Sequence, residues 1–232
     1  MATSASRMGT GQRVVFLLDC DNTLLDNDGV KDGMNRRLLA ILGPEMTERF
    51  WDVYEQVRKD VDVVDLPLTF ERFEQYCPDA ATMMRVRSAV LAYPFASAVF
   101  PEALETLRYL RQIGTPVILS DGDSVYQPLK IEQSGLEAAV NGQVAIYIHK
   151  EEHIAAVMAR WPAPFYVAVD DKGRILTTLK RMYPDRFVTV HVLKGHYAHD
   201  GEPFDPAPDI TIESIGGLMR YGVEDLRRYL HS

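Results

Sequence analysis

Two aspartates stand two residues apart, directly after a run of five apolar residues. The run Val-Val-Phe-Leu-Leu at 14–18 leads straight into Asp19 and Asp21. Two carboxylates about 4 Å apart repel by about 4 kcal/mol at an effective dielectric of ~20. A proton or a divalent cation must offset that repulsion, unless the residues only form a turn or a helix cap, which Asp, Asn and Thr also favour.

Two further apolar runs end in residues that could complete a site around this pair. Ser120, Asp121 and Gly122 follow the run at 116–119, and they offer a hydroxyl, flexible backbone and N–H donors at the start of a predicted helix, as phosphate binding requires. Asp170 and Asp171 follow the run at 165–169. Carboxylate oxygens at strand ends are typical Mg²⁺ ligands, so we predict a phosphate and metal site.

A lysine and a histidine-containing loop follow other apolar runs. Lys150 comes after the run at 144–148 and opens a predicted helix, an end at which the helix dipole favours anions. A lysine in that place therefore indicates an anion to neutralise. The loop 194–206 holds His196 and His199, which we interpret as incidental residues of a surface loop. Whether this loop contacts a substrate stays open.

The apolar runs themselves predict the fold class. They lie at 14–18, 116–119, 144–148, 165–169, 187–193 and 210–212. Helical patterns separate most of them, which predicts an α/β fold with a doubly wound, Rossmann-like parallel sheet. Because ligands bind such sheets at the carboxyl ends of the strands, the residues named above are expected at one edge.

The segment between the first two strands has a different pattern. Residues 27–97 contain helix-like segments and no convincing strand, and they are too many for a simple crossover connection. We predict an inserted all-helical cap domain over 27–97 and an α/β catalytic core over 13–26 and 98–232. Residues 1–12 are interpreted as a flexible leader.

Composition excludes several classes of function. The 232 residues include 25 Lys and Arg against 33 Asp and Glu, a net charge of −8 that argues against binding to nucleic acid or anionic membranes. Two cysteines are too few for a disulfide scaffold. No apolar stretch reaches the ~20 residues of a membrane span. We therefore expect a cytoplasmic protein that acts on a small molecule, in an oligomeric state that the sequence leaves open.

The chemistry-bearing residues, taken in order, resemble a known family. Asp19-x-Asp21-x-Thr23, Ser120, Lys150 and the pair Asp170-Asp171 are similar to the four motifs of the haloacid dehalogenase-like hydrolases. The resemblance covers about residues 13–230. The segment 27–97 resembles the helical cap of that superfamily.

The resemblance implies a role for each matching residue. Asp19 would attack phosphorus to form an aspartyl-phosphate, and Asp21 would protonate the leaving oxygen and later activate water. Lys150 would neutralise the nucleophile and the phosphoryl group. Thr23 would steady the loop, and Ser120, with the neighbouring Asp121 and Gly122, would bind phosphate. The implied Mg²⁺ ligands are the carboxylates of Asp19, Asp170 and Asp171 and the main-chain carbonyl of Asp21.

The implied activity is hydrolysis of a small phosphorylated metabolite. Asp21 favours phosphate esters over carbon–halogen bonds, because dehalogenases of this superfamily lack the second aspartate and a halide leaves without a proton. Two alternatives stay open. A sugar phosphomutase would use the same residues, and a catalytically weak protein could keep the fold to bind a partner or ligand.

Overall fold

The computed structural model describes residues 14–199 and 204–231. The predicted leader at residues 1–12 and a part of the loop 194–206 lie outside these ranges. Among the described residues, every helix is too short or too polar to cross a membrane.

The described residues form one parallel sheet of six strands. The strands are β1 (Val14–Leu18), β2 (Gly114–Asp121), β3 (Val144–Tyr147), β4 (Tyr166–Asp170), β5 (Phe187–Val192) and β6 (Ile210–Ile212). Their order across the sheet is β3-β2-β1-β4-β5-β6, and every pairing is parallel. The predicted α/β doubly wound sheet is confirmed.

The first strand shows why continuous apolar runs were the right signal. Val14, Phe16 and Leu18 pack into one hydrophobic core, whereas Val15 and Leu17 pack into a second core on the opposite face. A strand covered by helices on both faces has no solvent-facing side, so its sequence shows no polar alternation.

Nine α-helices accompany the sheet in the described ranges. They are α1 (Asn27–Val61), α2 (Leu66–Glu74), α3 (Ala80–Leu91), α4 (Ala103–Ile113), α5 (Tyr126–Gln133), α6 (Leu136–Ala139), α7 (Ile154–Arg160), α8 (Gly173–Met182) and α9 (Val223–Arg227). A 3₁₀ turn at Lys150–His153 precedes α7.

Helices α1, α2 and α3 follow β1 and form the helical segment that the sequence predicts. Each begins after an aspartate whose carboxylate accepts a main-chain N–H of the first turn: Asp26, Asp65 and Asp79. Such N-caps stabilise a helix by about 1 kcal/mol each. Helix α1 is kinked at Gly43, where φ is 74°, so it consists of two helical parts within the predicted helical segment 27–97. The exact domain boundaries stay a prediction.

Strand β2 is longer than predicted. It starts at Gly114, two residues before the predicted run at 116–119, and it includes Ser120 and Asp121. A side chain at Gly114 would meet the main-chain oxygen of Val14 at 2.5 Å, so the absence of a side chain lets β2 begin in close contact with β1.

Candidate active site

Asp19 lies at the carboxyl end of β1, in the middle of the sheet. Its main-chain N–H donates to the carbonyl of Val169 at 2.9 Å, which continues the pairing with β4 one residue beyond the strand. The residue is only 4% exposed. One carboxylate oxygen, Oδ1, lies 2.5 Å from Nζ of Lys150, while Oδ2 is buried with no hydrogen-bond partner.

Lys150 reaches Asp19 from the end of β3. The preceding residue, His149, has φ 56°, and this left-handed turn directs the chain back toward the strand ends. The main-chain N–H of Lys150 donates to Asp121 Oδ1 at 2.9 Å. Its buried ammonium contacts Asp19 and Asp170, the latter at 2.7 Å, and also donates to the carbonyl of Leu119 at 3.2 Å. Lys150 therefore neutralises part of a buried acidic cluster.

That cluster is formed by three carboxylates, from Asp19, Asp170 and Asp171. One oxygen from each lies within 4.8 Å of the other two. The oxygens of Asp170 are satisfied by Lys150 and by the main-chain N–H of Lys172 at 2.9 Å. Both oxygens of Asp171 are buried without a partner, as is Oδ2 of Asp19. Unpaired buried carboxylate oxygens are costly unless an ion or a proton satisfies them.

The protonation of these groups follows from their burial. Burial raises the pKa of Asp19 to about 7, with Lys150 opposing the shift and Asp170 adding to it. Burial and then the charges of Asp170 and Asp19 raise the pKa of Asp171 to about 9. Burial alone would lower the pKa of Lys150, but the two aspartates beside it raise that pKa well above its usual value. Lys150 and the more exposed Lys172 oppose these shifts but do not offset three buried acids.

A divalent cation fits this arrangement. The donors are hard carboxylate oxygens, three of them are unpartnered, and the acids outnumber the adjacent buried lysine. Mg²⁺ is bound in proteins by one or two carboxylates, with waters and substrate phosphate as further ligands. Asp19 and Asp171 are the side chains with free oxygens to hold such an ion.

Asp21 occupies a different environment from Asp19, although it is only two residues away. Its carboxylate is 28% exposed and faces Lys130, whose Nζ lies 2.5 Å from Oδ1 and 2.7 Å from Oδ2. The chain turns sharply after it, since Asn22 has φ 58°. The side chain of Asn22 accepts the main-chain N–H groups of Asn27 and Asp28, which begin α1. The loop of Asp21 is thus bonded directly to the first turn of the helical segment.

The residues predicted to bind phosphate lie around the same strand ends. Ser120 is buried, and its Oγ accepts from Gln127 Nε2 at 2.8 Å. Thr23 is buried with an unpartnered hydroxyl. Asp121 uses its carboxylate to hold the Lys150 main chain, and the N–H of Gly122 is already donated to Tyr147 at 3.1 Å.

The structure therefore assembles the predicted set without assigning each role. A phosphate-binding role for Gly122 cannot rest on its own N–H group, which the described bond to β3 occupies. A side chain at this position would lie 2.6 Å from Cβ of Gln127, so Gly122 also permits α5 to approach the strand end. The phosphate roles of Thr23, Ser120, Asp121 and Gly122 stay predictions.

A cavity of about 380 Å³ lies between these strand ends and the helical segment. Its sheet side includes Asp21 and Asp171, together with Asp121, Gly122 and Lys172. Its other side includes the cap side chains Lys31, Trp51, Tyr54 and Arg58. Asp19, Lys150 and Asp170 are buried and are not among the residues that line this cavity. The cap side also includes Glu55 and Asp62, so a polar ligand in the cavity would meet charges of both signs and aromatic rings there.

Exposed contacts cross the rim of the cavity. His149 Nε2 lies 3.1 Å from Asp62 Oδ2 at the end of α1. His196 Nδ1 lies 2.9 Å from Asp28 Oδ1 at the start of α1. His196 and Tyr197 line the cavity, so the described part of the loop 194–206 borders the site, and contact with substrate stays a prediction.

Sequence reasoning missed three buried polar residues of the site. Lys130 and Gln127 reach Asp21 and Ser120 from α5. His191 of β5 is buried, and its Nε2 donates to the main-chain carbonyl of Asp171 at 2.9 Å. Gln127 and Lys130 are polar residues at core-facing positions of a helix, and that departure from the apolar pattern could have identified them.

The fold and the site together place an acid and a lysine at the ends of parallel strands, with helices over the cavity. No protein-family model matches the chain, and the search of curated proteins gives no match. A solved structure from Burkholderia xenovorans LB400, named for the haloacid dehalogenase-like hydrolases, is 42% identical; the match covers 91% of this chain and all of that one, with a TM-score of 0.83. The chain therefore belongs to the haloacid dehalogenase-like hydrolases.

Two more distant structures share the fold. One, from Bacillus subtilis, is named for the same hydrolases and was solved bound to magnesium; it is 16% identical, covers 90% of this chain and 98% of its own, and has a TM-score of 0.59. The other is an L-2-haloacid dehalogenase from Xanthobacter autotrophicus, 18% identical, with coverage of 91% and 98% and a TM-score of 0.56. The fold thus occurs both in a magnesium-bound protein named as a hydrolase of this family and in a protein named as a dehalogenase.

Proposed function

We propose that the protein is a Mg²⁺-dependent hydrolase of small phosphomonoesters. The observation that carries the proposal is the set of unpartnered buried oxygens on Asp19 and Asp171, beside Asp170 and a single buried lysine. Such a cluster is suited to a divalent cation and a phosphoryl group, because phosphoryl transfer is catalysed mainly by positioning and by neutralising charge. Bound Mg²⁺ would supply positive charge for the carboxylates and the phosphate oxygens.

The side chains divide the reaction between them. Asp19 attacks phosphorus, and the bond from phosphorus to the ester oxygen breaks as the new bond to the carboxylate forms. Asp21, carrying a proton, gives it to the departing oxygen. Asp21 then takes a proton from the water that attacks the aspartyl-phosphate, which releases inorganic phosphate and restores Asp19. Lys150 holds the nucleophile in place, and the hydroxyl of Ser120 donates to a phosphate oxygen.

A dehalogenase is the second candidate, because several proteins of the same fold are named as 2-haloacid dehalogenases. A halide leaves without a proton, so that reaction gives no task to the carboxylate of Asp21 at the cavity wall. The acidic cluster of Asp19, Asp170 and Asp171, which is suited to a divalent cation, also favours the hydrolysis of phosphate esters. Asp21 and Asp171 therefore support a phosphatase over a dehalogenase.

The test measures phosphate release from sugar phosphates, nucleotides and small organic phosphates, with Mg²⁺ and with a chelator, beside halide release from 2-haloacids. We expect Mg²⁺-dependent phosphate release that falls at least about 10³-fold in Asp19→Asn. Halide release without phosphate release would instead establish a dehalogenase. Formation of a sugar-phosphate isomer without net phosphate would establish a mutase, and the absence of any turnover would favour a binding protein.

A further inference from the structure

Lys130 is a buried cation that the reaction outlined above does not use. It lies on α5 and is 1% exposed. Its ammonium contacts both carboxylate oxygens of Asp21, at 2.5 and 2.7 Å, and this is its one ion pair among the described residues. It also donates to Asn27 Oδ1 at 3.2 Å and lies 5.3 Å from the ring centroid of Tyr126. A lysine buried to this degree is costly to desolvate, and its contacts are concentrated on one carboxylate.

The neighbouring turn of α5 supports the same carboxylate. Gln127 precedes Lys130 by three residues, so both side chains leave the helix on one face. Its Nε2 donates to Ser120 Oγ at 2.8 Å and lies 3.4 Å from Asp21 Oδ2. Helix α5 therefore contacts two groups that the proposed reaction uses, the carboxylate of Asp21 and the hydroxyl of Ser120.

Lys130 also connects α5 to the helical segment over the cavity. Asn27, which it contacts, is the first residue of α1. Asn27 donates its main-chain N–H to Asn22 Oδ1 at 3.0 Å, so the residue after Asp21 is bonded to the same turn. Contacts with α5 and with the start of α1 thus both fix the position of the Asp21 carboxylate.

We propose that Lys130 is a positioning residue for Asp21: its contacts with both carboxylate oxygens fix the side chain at the cavity wall, where it exchanges a proton with the leaving oxygen. The inference rests on the proposed phosphatase function. In this step the O–H bond of Asp21 breaks, the new O–H bond forms on the departing alkoxide, and Lys130 keeps all its protons. A side chain held in the reactive geometry before the reaction begins lowers the entropy cost of the step.

The test uses the dependence on the leaving group. An alkyl phosphate needs a proton on its departing oxygen, whereas p-nitrophenyl phosphate releases a stable anion. We expect Lys130→Met to lower kcat/KM for the best alkyl phosphate of the panel by about 10²-fold, as for loss of general acid catalysis, and to lower it only a few-fold for p-nitrophenyl phosphate. Asp21→Asn is expected to show the same selectivity, and the double variant to add little further loss.

Two variants separate positioning from stability. Lys180→Met removes another lysine with a buried carboxylate partner, Asp209, away from the cavity, and it should affect the two esters equally. Lys130→Arg keeps the charge and should recover a part of the alkyl phosphate activity; it also serves as the measurement if Lys130→Met does not fold.

Equal losses on both esters in the Lys130 variants, or no loss, would overturn the positioning role while leaving the phosphatase in place. A wild-type protein that releases phosphate from neither ester, or an Asp19→Asn variant that retains activity, would instead overturn the proposed function and the inference with it.

Discussion

The acidic site and a second, partly buried lysine pair contain the same residue types, but they differ in whether their carboxylate oxygens are paired. At the acidic site (Asp19, Lys150, Asp170 and Asp171), three carboxylate oxygens have no partner. In the remote pair (Lys180 and Asp209), Lys180 contacts Asp209 at 2.9 Å and donates to two main-chain carbonyls.

The partners of Asp209 complete this difference. Its Oδ2 accepts the main-chain N–H and the hydroxyl of Thr189, at 2.8 and 3.0 Å. A buried polar cluster that satisfies itself stabilises the fold, whereas one that leaves acceptors unpaired is suited to a ligand that completes it. Burial and charge alone therefore do not distinguish the two clusters, whereas the unpaired carboxylate oxygens of the acidic site do.

The largest expected effect compares one oxygen-to-nitrogen change in each cluster. Asp19→Asn removes the nucleophile and should lower kcat at least about 10³-fold, whereas Asp209→Asn should keep kcat within about twofold. Steady-state phosphate release, with circular dichroism as the check on folding, measures both. An inactive but folded Asp209→Asn would show that the remote pair is not purely structural.

The next effect concerns stability. Asp209→Ala leaves the partly buried Lys180 without its carboxylate and should lower the free energy of unfolding by about 1–3 kcal/mol. Urea denaturation measures the loss, and activity of the remaining folded protein is the control. An unchanged urea midpoint would mean that the two main-chain carbonyls suffice for Lys180.

A change of opposite sign is expected at the acidic site. The folded-state pKa of Asp171 is raised from 3.8 to about 9. Between these pH values the unfolded chain releases this proton while the folded chain keeps it, so the free energy of unfolding falls as pH rises. At pH ~8 without metal, Asp171→Asn should therefore raise the free energy of unfolding by about 1–3 kcal/mol while activity is lost. Thermal unfolding with a chelator measures this, and a destabilised variant would contradict it.

A further effect is the pH dependence of metal binding. Asp19 and Asp171 have pKa values raised to about 7 and about 9, so Mg²⁺ must displace protons from them at neutral pH. The affinity should rise with pH across this window, by up to about tenfold per pH unit for each proton released. Calorimetric titrations with Mg²⁺ at pH ~6 and ~8 check the direction, with Asp171→Asn as the control that should bind weakly at both.

The sequence predicted the sheet because each strand is a short apolar run buried on both faces. It also predicted that Asp19, Lys150 and Asp170 come together, because the carboxyl ends of parallel strands share an edge. These arguments need only strand order and direction.

Lys130 could not be placed by the same reasoning. Its contact with Asp21 joins residues 109 apart and depends on how α5 packs under the loop, which strand periodicity does not specify. The separation of Asp19 from Asp21, one buried and one at the cavity wall, likewise depends on the left-handed turn at Asn22. Asparagine is among the residues that tolerate such a turn, but many asparagines do not adopt it.

The pairs at the cavity rim bear on how long a product stays bound. His149 with Asp62 and His196 with Asp28 are exposed contacts, with side-chain exposures of 38% and 82% in the first and 51% and 36% in the second. The contacts are ion pairs only when the histidines are protonated, and exposed ion pairs contribute about 0–1 kcal/mol each, so together they can lengthen the dwell time of a product by at most ~30-fold. Added salt weakens them and should shorten that dwell time.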